Sequence, residues 1–545
     1  MWQTHEVFNQ APPLRGWNPF ASDAALQAAI AREGAAWHAE ALARQGGILG
    51  SAETSELAAS AERRPPVLIS HDASGQRIDR VVFDPAWTAL LRLLYRAGVH
   101  ASAWLEPRPG AHVARAAAFF LHGQIEAGSL CPVTMTFASI PILQRERALF
   151  ATLADRLRGR EYDARELPLS AKRSAMIGMG MTEKQGGSDL RSITTSARPL
   201  GAGGRGGHYA LVGHKWFFSA PGCDAHLVLA RTDEGPSCFF LPHWLPDGRR
   251  NHVRIQRLKD KLGNRSNASA EVEFEDAFGV LVGEAGRGIA TIMEMAAQTR
   301  LDCVLGSAAL MRRALVEAIH HARHRSAFGR ALATQPLMRN LLAELALESE
   351  AATVLAIRLA SAVASPEDPL ARAWRRIVTP AAKFWICKRA IAFIAECMEV
   401  WGGNGYVEDG PMPRLYREAP VNSIWEGSGN VICLDVLRAL GREPEALEAL
   451  LAEFADAAAG EPAMQRALAG LASQLHAPAD AQWHARRTAM QLVLLAQAAL
   501  LRRHAPTVVA ETFIAARLAT TGGQVGGLLA TPAAAQGLLA RAWPG

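Results

Sequence analysis

Three glycine-rich stretches carry the residue types that could bind a ligand or move a proton. In residues 181–189, Thr and Ser flank a glycine pair, and the backbone donors of such a loop can approach an anionic or heteroaromatic ligand. The second stretch is residues 325–329 with Gln335. The third is residues 401–406, followed by residues 424–430, which contain a glutamate. Taken singly, each glycine pair is typical of a turn, and the glutamate is typical of an ordinary loop. Whether these residues form a functional site depends on the helices and strands that position them.

Two other patterns are better explained by structure than by a ligand. The string Gly-x-Gly-x-x-Gly at residues 201–206 precedes an apparent strand instead of following one, so it predicts a surface hairpin loop and not a dinucleotide site. His320, His321 and His324 share a helical stretch, but it lacks the His-Glu-x-x-His arrangement. We therefore predict a helix surface there and no metal site.

The hydrophobic period changes twice along the chain. Apolar residues recur three and four positions apart before residue 174 and after residue 288, and short β-branched runs with period two lie between. Strands do not alternate with helices, which excludes a parallel α/β sheet. We predict a mostly α-helical protein with a central antiparallel β-domain. The predicted domains are an N-terminal arm and helical domain (1–174), the β-domain (175–284), a helical domain (285–440) and an extra C-terminal helical domain (441–545).

Composition indicates a globular protein of the reducing cytoplasm. Of the 545 residues, 49% are hydrophobic and 20% charged, which suits large cores and not a disordered chain. No apolar run approaches the roughly 18 residues of a membrane helix, and the first residues do not resemble a signal peptide. The seven cysteines contain no Cys-x-x-Cys pair, so we expect neither a disulfide framework nor a zinc ribbon.

In this order, the glycine-rich stretches resemble the acyl-CoA dehydrogenase family over about residues 30–440. The resemblance implies an FAD cofactor, with Phe217 against its ring system, Ser219 near its N5 atom and Gly402 over its pyrophosphate. It also implies that Arg325 belongs to a motif reaching the FAD of a neighbouring subunit. The residues implied to contact the cofactor are Met181, Thr182, Gly187, Ser188, Phe217, Ser219, Arg325, Phe328, Gln335, Gly402, Gly403, Trp425, Gly427, Ser428 and Asn430.

The resemblance also gives Glu426 a role as the catalytic base. Oxidation of an acyl-CoA between its α and β carbons needs a carboxylate that removes the α-proton while hydride leaves the β-carbon for the flavin. Such a base works best when desolvated, and Trp425 would supply an apolar wall. Some members carry the base directly before an arginine in the third domain, but Thr299 precedes Arg300 here. Tryptophan in place of the family's more common tyrosine at 425 implies a short or branched acyl group.

The chain is about 100 residues longer at its C-terminus than an ordinary family member. This extension has an acidic first part and a basic second part. Residues 441–480 hold two basic and seven acidic side chains, whereas residues 481–545 hold six basic and one acidic. The basic part predicts a stripe for phosphate contacts, although solvated helix faces and ion pairs explain it equally well in an arginine-rich chain. A second basic helix, around Arg312, Arg313 and Arg323, is the alternative surface. The predicted DNA-binding residues are Arg486, Arg487, Arg502, Arg503 and Arg517.

Five further stretches narrow the resemblance to the alkylation-response branch of the family. They are residues 2–10, 127–137, 178–189, 259–268 and 421–430. The branch implies a homotetrameric FAD protein whose C-terminal domain binds double-stranded DNA without sequence preference and protects it from alkylation damage. Any dehydrogenation of a short or branched acyl-CoA would be weak, so whether the chain is an enzyme stays open. The alternatives are an ordinary short- or branched-chain acyl-CoA dehydrogenase whose extension serves only oligomerisation, and a non-catalytic DNA-shielding protein with structural FAD.

Overall fold

Helices make up most of the computed structural model, which describes residues 2–245, 247–475, 481–519 and 533–542. The helices are, in chain order, α1 (Ala24–Arg32), α2 (Ala39–Leu49), α3 (Ala52–Arg63), α4 (Pro85–Arg96), α5 (Ser102–Leu105), α6 (Ala111–Gly123), α7 (Leu130–Gln144), α8 (Arg147–Arg158), α9 (Gly288–His324), α10 (Pro336–Ser361), α11 (Pro369–Ala373), α12 (Thr379–Val400), α13 (Gly403–Tyr406), α14 (Met412–Ile424), α15 (Gly429–Arg442), α16 (Pro444–Ala457), α17 (Pro462–Leu475), α18 (Ala481–His504), α19 (Thr507–Arg517) and α20 (Ala533–Ala542).

Local signals in the sequence begin several of these helices. The Asp23 carboxylate accepts a hydrogen bond from the N–H of Leu26 at 3.0 Å at the start of α1. Asp84 accepts from the N–H of Ala86 at 2.9 Å, and Pro85 occupies the first helical position of α4, where its missing N–H costs nothing. No helix in the described ranges is both long and apolar enough to cross a bilayer.

The strands lie mainly between the two helical regions. They are β1 (Val67–His71), β2 (Arg77–Val82), β3 (Ile177–Gly180), β4 (Ser196–Pro199), β5 (His208–Ser219), β6 (Ala225–Thr232), β7 (Gly235–Pro242), β8 (Val253–Leu258), β9 (Ser269–Val282), β10 (Ser326–Ala327) and β11 (Arg330–Ala331). The structure confirms the predicted mostly α-helical fold with a central β-domain, which occupies β3 to β9.

The central strands close into a barrel-like ring. β6 pairs with β4, β4 with β5, β5 with β9, β9 with β7, and β7 pairs back with β6. Side chains including Leu211, Phe218, Phe239 and Phe274 fill the interior. Most pairings are antiparallel, as predicted, but β3 and β4 each pair with β6 in parallel. Periodicity shows which residues form strands and not which strands become neighbours.

By internal packing, the chain divides into two compact units. Unit 1 comprises residues 1–52, 112–125 and 303–545, and unit 2 comprises residues 53–111 and 126–302. These boundaries differ from the four predicted segments because the C-terminal helices pack with the helices that precede them. The division into four domains stays a prediction, and each unit is described by itself below.

Unit 2 contains a hairpin that the sequence did not predict. β1 and β2 pair antiparallel within a stretch expected to be mainly helical. The Nη2 of Arg77 donates to the Ile255 carbonyl at 2.9 Å, and the Asp79 carboxylate accepts from the N–H of Ile255 at 3.3 Å. The hairpin is therefore fixed to β8 by contacts between residues far apart in sequence.

The C-terminal helices belong to the core of unit 1. α18 packs against α10, α12 and α15, and α20 packs against α10. The buried guanidinium of Arg517 lies 2.7 Å from the Glu344 carboxylate and 3.3 Å from that of Glu348, while Arg541 lies 2.5 Å from Glu350. The predicted extra domain is thus joined to α10 by both apolar packing and ion pairs.

Candidate functional site

The loop at residues 181–189 is held in place by backbone hydrogen bonds within unit 2. Glu183 and Gly186 exchange N–H to carbonyl bonds of 3.2 and 3.1 Å, which close a tight turn. The N–H of Trp216 on β5 donates to the Thr182 carbonyl at 2.8 Å. The loop is therefore fixed to the strand that carries the other predicted flavin contacts of this unit.

Gly187 is required at its position by close packing within this loop. A Cβ atom there would lie 2.5 Å from the Thr182 hydroxyl oxygen, so a side chain would force the loop apart. Met181 and Thr182 are half-buried, and Ser188 is exposed. A compact loop with an exposed hydroxyl and nearby backbone donors fits the polar edge of a flavin.

A buried ion pair joins the loop to β5. The Nζ of Lys215 lies 2.7 Å from an Oε atom of Glu183, and neither side chain is exposed. The same carboxylate accepts hydrogen bonds from Gln185, from the N–H and hydroxyl of Thr194 and from the N–H of Thr195, at 2.7 to 3.2 Å. Burial opposes ionisation, but the Lys215 charge and these donors lower the pKa of Glu183 to about 2. Burial lowers the pKa of Lys215 to about 8, so both groups are charged at neutral pH.

An irregularity in β5 exposes Phe217. The pairing with β9 shifts register between Lys215 and Phe218, so both of these side chains point inward and two residues lie between them. Phe217 is consequently 52% exposed, with the Lys259 ammonium 4.7 Å from its ring centre. Ser219, two residues on, is half-buried. Phe217 is thus open to a ligand, and the predicted contacts of Phe217 and Ser219 with a flavin stay a prediction.

In unit 1, the N-terminal arm holds the hairpin β10–β11. The Arg325 guanidinium donates to the Asn9 carbonyl at 2.6 Å, while the Asn9 side chain bonds the N–H and carbonyl of Ser326 at 2.7 and 2.8 Å. Gln335 donates to the Ala327 carbonyl at 3.0 Å. These bonds fix a turn whose tip, Phe328, has a φ of 53° and is 95% exposed. Phe328 therefore points outward, and the hydrogen bonds of Arg325 and Gln335 fix the turn that carries it.

The glycine pair at 402–403 begins the short helix α13. Gly402 has φ 59° and ψ −142°, a conformation that residues with a Cβ avoid. A Cβ at either glycine would meet nothing within 4 Å in this chain, so the backbone borders open space. Trp401 before them is fixed, because its Nε1 donates to the Glu317 carbonyl at 3.2 Å and its ring stacks on His321. An open glycine turn on a rigid support fits a pyrophosphate contact.

The candidate base lies in the turn between α14 and α15. Glu426 has a φ of 59°, which is rare for a residue with a side chain, and it is half-buried. Gly427 follows with a φ of 109°, and its carbonyl accepts a hydrogen bond from the buried ammonium of Lys383 on α12. The ring of Trp425 is held by a 3.0 Å bond from its Nε1 to the Asn422 side chain. The turn therefore holds Glu426 in a strained conformation between two fixed residues.

Lys383 and Asn9 are positioning residues that the sequence did not predict. The chain has only seven lysines against 51 arginines, and three of the lysines, Lys172, Lys215 and Lys383, are buried in unit cores. The signal that the sequence offered was the scarcity of lysine in an arginine-rich chain. Each of the three buried lysines fills a space that suits an ammonium group. Asn9 lies in a stretch used for the family resemblance, but nothing local pointed to Ser326.

The predicted DNA-binding arginines differ in their surroundings. Arg487 is exposed. Arg486 donates to the Asn430 side chain at 2.9 Å and lies 5.1 Å from the Phe384 ring centre, so it holds a predicted cofactor residue while remaining exposed. Arg502 donates to the Ala459 carbonyl at 2.8 Å.

Ser428, a predicted cofactor residue beside the turn that holds Glu426, is exposed.

Three of the five predicted DNA-binding arginines form ion pairs within unit 1, and the first of them, Arg502, lies 3.7 Å from Glu461. Arg503 lies 2.8 Å from Glu453 and 2.6 Å from Asp456, and Arg517 is buried between two glutamates of α10. In the alternative basic helix, Arg312 and Arg313 are buried beside Asp23 and Glu317, whereas Arg323 is exposed. Neutralised or buried arginines are poorly suited to phosphate, so Arg486 and Arg487 on α18 remain as the candidate surface.

The glycine string lies in a loop as predicted, whereas the prediction of a helix surface for the three histidines is wrong for His321, which is buried. The glycines at 201–206 form the loop between β4 and β5. The Nε2 of His320 lies 2.8 Å from the Pro12 carbonyl, and the Nδ1 of His324 lies 2.8 Å from the His320 carbonyl. His321 is buried, and burial with the nearby Arg325 charge lowers its pKa to about 4. These contacts give the three histidines structural surroundings.

Models of known families match three successive parts of the chain. Residues 9–164 match the adaptive response protein AidB N-terminal domain, residues 178–277 the acyl-CoA dehydrogenase middle domain, and residues 286–441 the acyl-CoA dehydrogenase C-terminal domain. The putative acyl-CoA dehydrogenase AidB of Escherichia coli (strain K12) is 51% identical over 524 residues, which cover 96% of each chain. Acyl-CoA dehydrogenase family member 11 of Caenorhabditis elegans is 31% identical over 71% of this chain and 64% of its own.

Solved structures show the same likeness. Caenorhabditis elegans ACDH-11, in complex with C11-CoA, is 27% identical with a TM-score of 0.84, and the match covers 94% of this chain and 92% of that one. An acyl-CoA dehydrogenase from Bacillus anthracis complexed with FAD has a TM-score of 0.62 over 84% of each chain. Its 20% identity supports the fold alone.

Proposed function

Because the chain belongs to the acyl-CoA dehydrogenase family, we propose that it uses Glu426 to remove the α-proton of a short or branched acyl-CoA, with weak turnover, and that it also binds double-stranded DNA. FAD is the cofactor of the family, and when bound it accepts the hydride that leaves the β-carbon. The strained backbone of Glu426 carries the catalytic part of the proposal. A residue held at positive φ on rigid neighbours is typical of a functional site.

The surroundings of Glu426 explain how this chain would orient and restrict a substrate. The Lys383 bond to the Gly427 carbonyl fixes the turn, so the carboxylate approaches the α-carbon from one direction. The developing negative charge on the thioester oxygen needs hydrogen-bond donors, and the backbone N–H of Glu426 is the candidate in this chain. Trp425 is tied to Asn422 and cannot easily swing aside, which limits the acyl group in size.

Each unit, taken by itself, has residues that suit part of a flavin cofactor. In unit 2 these are the compact loop with Thr182, Gly187 and Ser188 and the exposed ring of Phe217. In unit 1, the open glycine turn at 402–403 suits a pyrophosphate, and the outward tip at Phe328 suits a contact with a second copy of the chain. We infer a homotetramer on this basis and from the family, with mass measured by light scattering as its test.

Exchange of the substrate α-proton tests the role of Glu426 directly. FAD-loaded protein is mixed with isovaleryl-CoA or isobutyryl-CoA in deuterated buffer, and deuterium uptake at the α-carbon is followed by mass spectrometry. Glu426→Gln should abolish uptake and leave the flavin bound, while Asp409→Asn, an exposed carboxylate of the same unit, should change neither. Exchange retained in Glu426→Gln would reject the base, and no exchange in the wild-type protein would favour the non-catalytic alternative.

The proposal of DNA protection is supported by the relationship to AidB and by the surface of α18. Trp483 on that helix is 86% exposed, and Arg486 and Arg487 are exposed one turn away. Exposed guanidinium groups suit the phosphates of a duplex without reading its bases. The family model of the N-terminal region names an adaptive response, which motivates protection from alkylation as the role of such binding.

Salt dependence separates this proposal from an ordinary acyl-CoA dehydrogenase. Random-sequence duplex DNA is titrated into the FAD-loaded protein at several salt concentrations, because each phosphate contact contributes a slope of about −0.9. Arg487→Glu should weaken binding to all sequences equally and flatten the slope, and Arg147→Glu, on the exposed face of α8, is the control. If the two variants bind duplex DNA with equal affinity, α18 is not part of the DNA interface. No binding at low salt would favour the ordinary dehydrogenase, in which the extension serves oligomerisation only.

A further inference from the structure

A cavity in unit 2 is lined by an unusual number of arginines. It has a volume of about 510 Å³, and its walls include Arg92, Arg96, Arg165 and Arg173 together with Tyr162. Arg92 and Arg96 are one turn apart on α4 and so lie on the same face of that helix. The other wall is the segment that follows α8. None of these residues belongs to the flavin, proton-transfer or DNA surfaces described above.

The carboxylate of Asp163 is fully occupied and leaves the cavity positive. Its Oδ1 accepts from the N–H and Nε of Arg165 at 3.1 and 2.8 Å, and its Oδ2 accepts from Nη2 of Arg165 and the N–H of Arg173 at 2.7 and 2.9 Å. Hydrogen bonding to Arg165 is the main reason that the pKa of Asp163 lies far below its ordinary range. One arginine is thus neutralised, and the remaining charged residues of the lining are three arginines and one carboxylate, Glu161.

The three remaining arginines have no ion-pair partner in the part of the chain that the structure describes. Arg92, Arg96 and Arg173 are exposed on the solvent side, and no carboxylate of the described residues lies within 4.0 Å of their nitrogens. An excess of two positive charges therefore lines one concave surface.

The wall that carries Arg165 and Arg173 is rigid. The buried ammonium of Lys172 donates to the carbonyls of Asp163 and Arg165 at 2.6 and 2.7 Å and pairs with Asp224 at 2.9 Å. The ring of Tyr162 packs against Tyr95 with their centres 5.5 Å apart. Because the backbone of this wall is already fixed, binding a ligand costs less conformational entropy of the protein.

We propose that this cavity binds a small molecule carrying a phosphate or diphosphate group. Guanidinium forks match phosphate oxygens in pairs, and the excess of two charges suits a phosphate dianion better than a single carboxylate. The volume lies within the roughly 300–1,000 Å³ of small-molecule sites. A concavity of this volume admits a compact ligand, whereas duplex DNA presents its phosphates on a convex surface.

Inorganic pyrophosphate is the probe for this site. Isothermal titration of the FAD-loaded full chain at about 150 mM NaCl, where exposed charges are largely screened, should give saturable binding with one site per chain. The double variant Arg92→Gln/Arg96→Gln should bind at least about tenfold more weakly, since each lost charge-assisted bond contributes about a factor of ten. Arg173→Gln, on the opposite wall, should show a loss of the same kind.

The matched control removes the same charge elsewhere in unit 2. Arg147→Gln/Arg287→Gln changes two exposed arginines outside the cavity and should leave pyrophosphate affinity within about twofold of wild type. Equal weakening in this control, or no saturable binding by the wild-type protein, would overturn the proposal. If pyrophosphate does not bind but duplex DNA affinity falls in the cavity variants alone, the arginines contact DNA and the small-molecule site is rejected.

Discussion

Glu183→Gln should destabilise unit 2 by several kcal/mol and loosen the loop at residues 181–189. The substitution keeps the size of the side chain and removes its charge. In the native protein the carboxylate receives five hydrogen bonds, one of them from the buried ammonium of Lys215. An amide offers one oxygen instead of two and places an NH₂ group against donors, so several bonds are lost and Lys215 stays buried without a counter-charge.

The expected loss of stability is a few kcal/mol. Breaking a buried ion pair by removing one partner costs about 3–5 kcal/mol. The pKa of Glu183 falls from 4.5 to about 2, which corresponds to about 3 kcal/mol of stabilisation. Lys215→Met should cost less, about 1–3 kcal/mol, because Glu183 keeps its bonds from Gln185, Thr194 and Thr195. The double variant should therefore lose less than the sum of the two.

The pH dependence identifies the electrostatic part of the effect. In the wild-type protein, the contribution of Glu183 is present above pH 4.5 and is lost as the pH falls through about 2, because its pKa is lowered in the folded state. In Glu183→Gln the pKa of Lys215 should drop further below its ordinary range. Lys215 of the variant then takes up a proton when the protein unfolds. The difference in free energy of unfolding between wild type and variant should therefore narrow by up to about 1 kcal/mol between pH 7 and 8.

Urea unfolding of the FAD-loaded protein, followed by tryptophan fluorescence, measures these differences, and flavin absorbance follows the loop separately. In a unit of roughly 150–250 residues, each kcal/mol also moves the melting temperature by about 2–4 °C. A Glu183→Gln variant within about 1 kcal/mol of wild type, or a deficit that is independent of pH, would refute the role assigned to the pair.

Three further predictions concern unit 1. Asn9→Ala should increase hydrogen exchange at residues 326–331, since the arm loses its side-chain bonds to the hairpin, and unchanged exchange would contradict the positioning role. Arg517→Met should destabilise unit 1 by up to about 3–5 kcal/mol in urea, because Glu344 and Glu348 lose this buried guanidinium although Glu348 keeps its pair with Arg389, and a loss below about 1 kcal/mol would contradict this. Gly402→Ala should cost about 1–3 kcal/mol of strain and weaken FAD retention, which a flavin-release assay measures.

The β-domain was predictable because its signal is local. Alternating side chains separated by turn residues predicted a domain at 175–284, and the central strands run from Ile177 to Val282. The glycine-rich motifs were also readable, because the positive φ at Gly402 and the close contact at Gly187 restrict each position to one residue type. In both cases the physical requirement acts within a few residues.

Contacts between distant segments left no such signal. The hairpin β1–β2 forms where side chains are partly exposed, and its bonds go to β8 about 175 residues away. Asn9 meets Ser326 across 317 residues, and Arg517 meets Glu344 across 173. Charge counting predicted a basic stripe in the tail, but counting cannot tell an exposed guanidinium from one already paired with a carboxylate on another helix.

The way the tail is packed decides how DNA binding should be tested. Deleting residues 441–545 would uncover the faces of α10 and α12 that pack against α18, and it would remove Arg517 and Arg541 from buried glutamates. Unit 1 would then expose apolar surface and unpaired buried charge, so a loss of DNA binding would follow from misfolding as readily as from a lost interface. Charge reversal at Arg487 changes an exposed side chain and leaves that packing intact. Only a variant of this kind can attribute DNA affinity to the C-terminal helices.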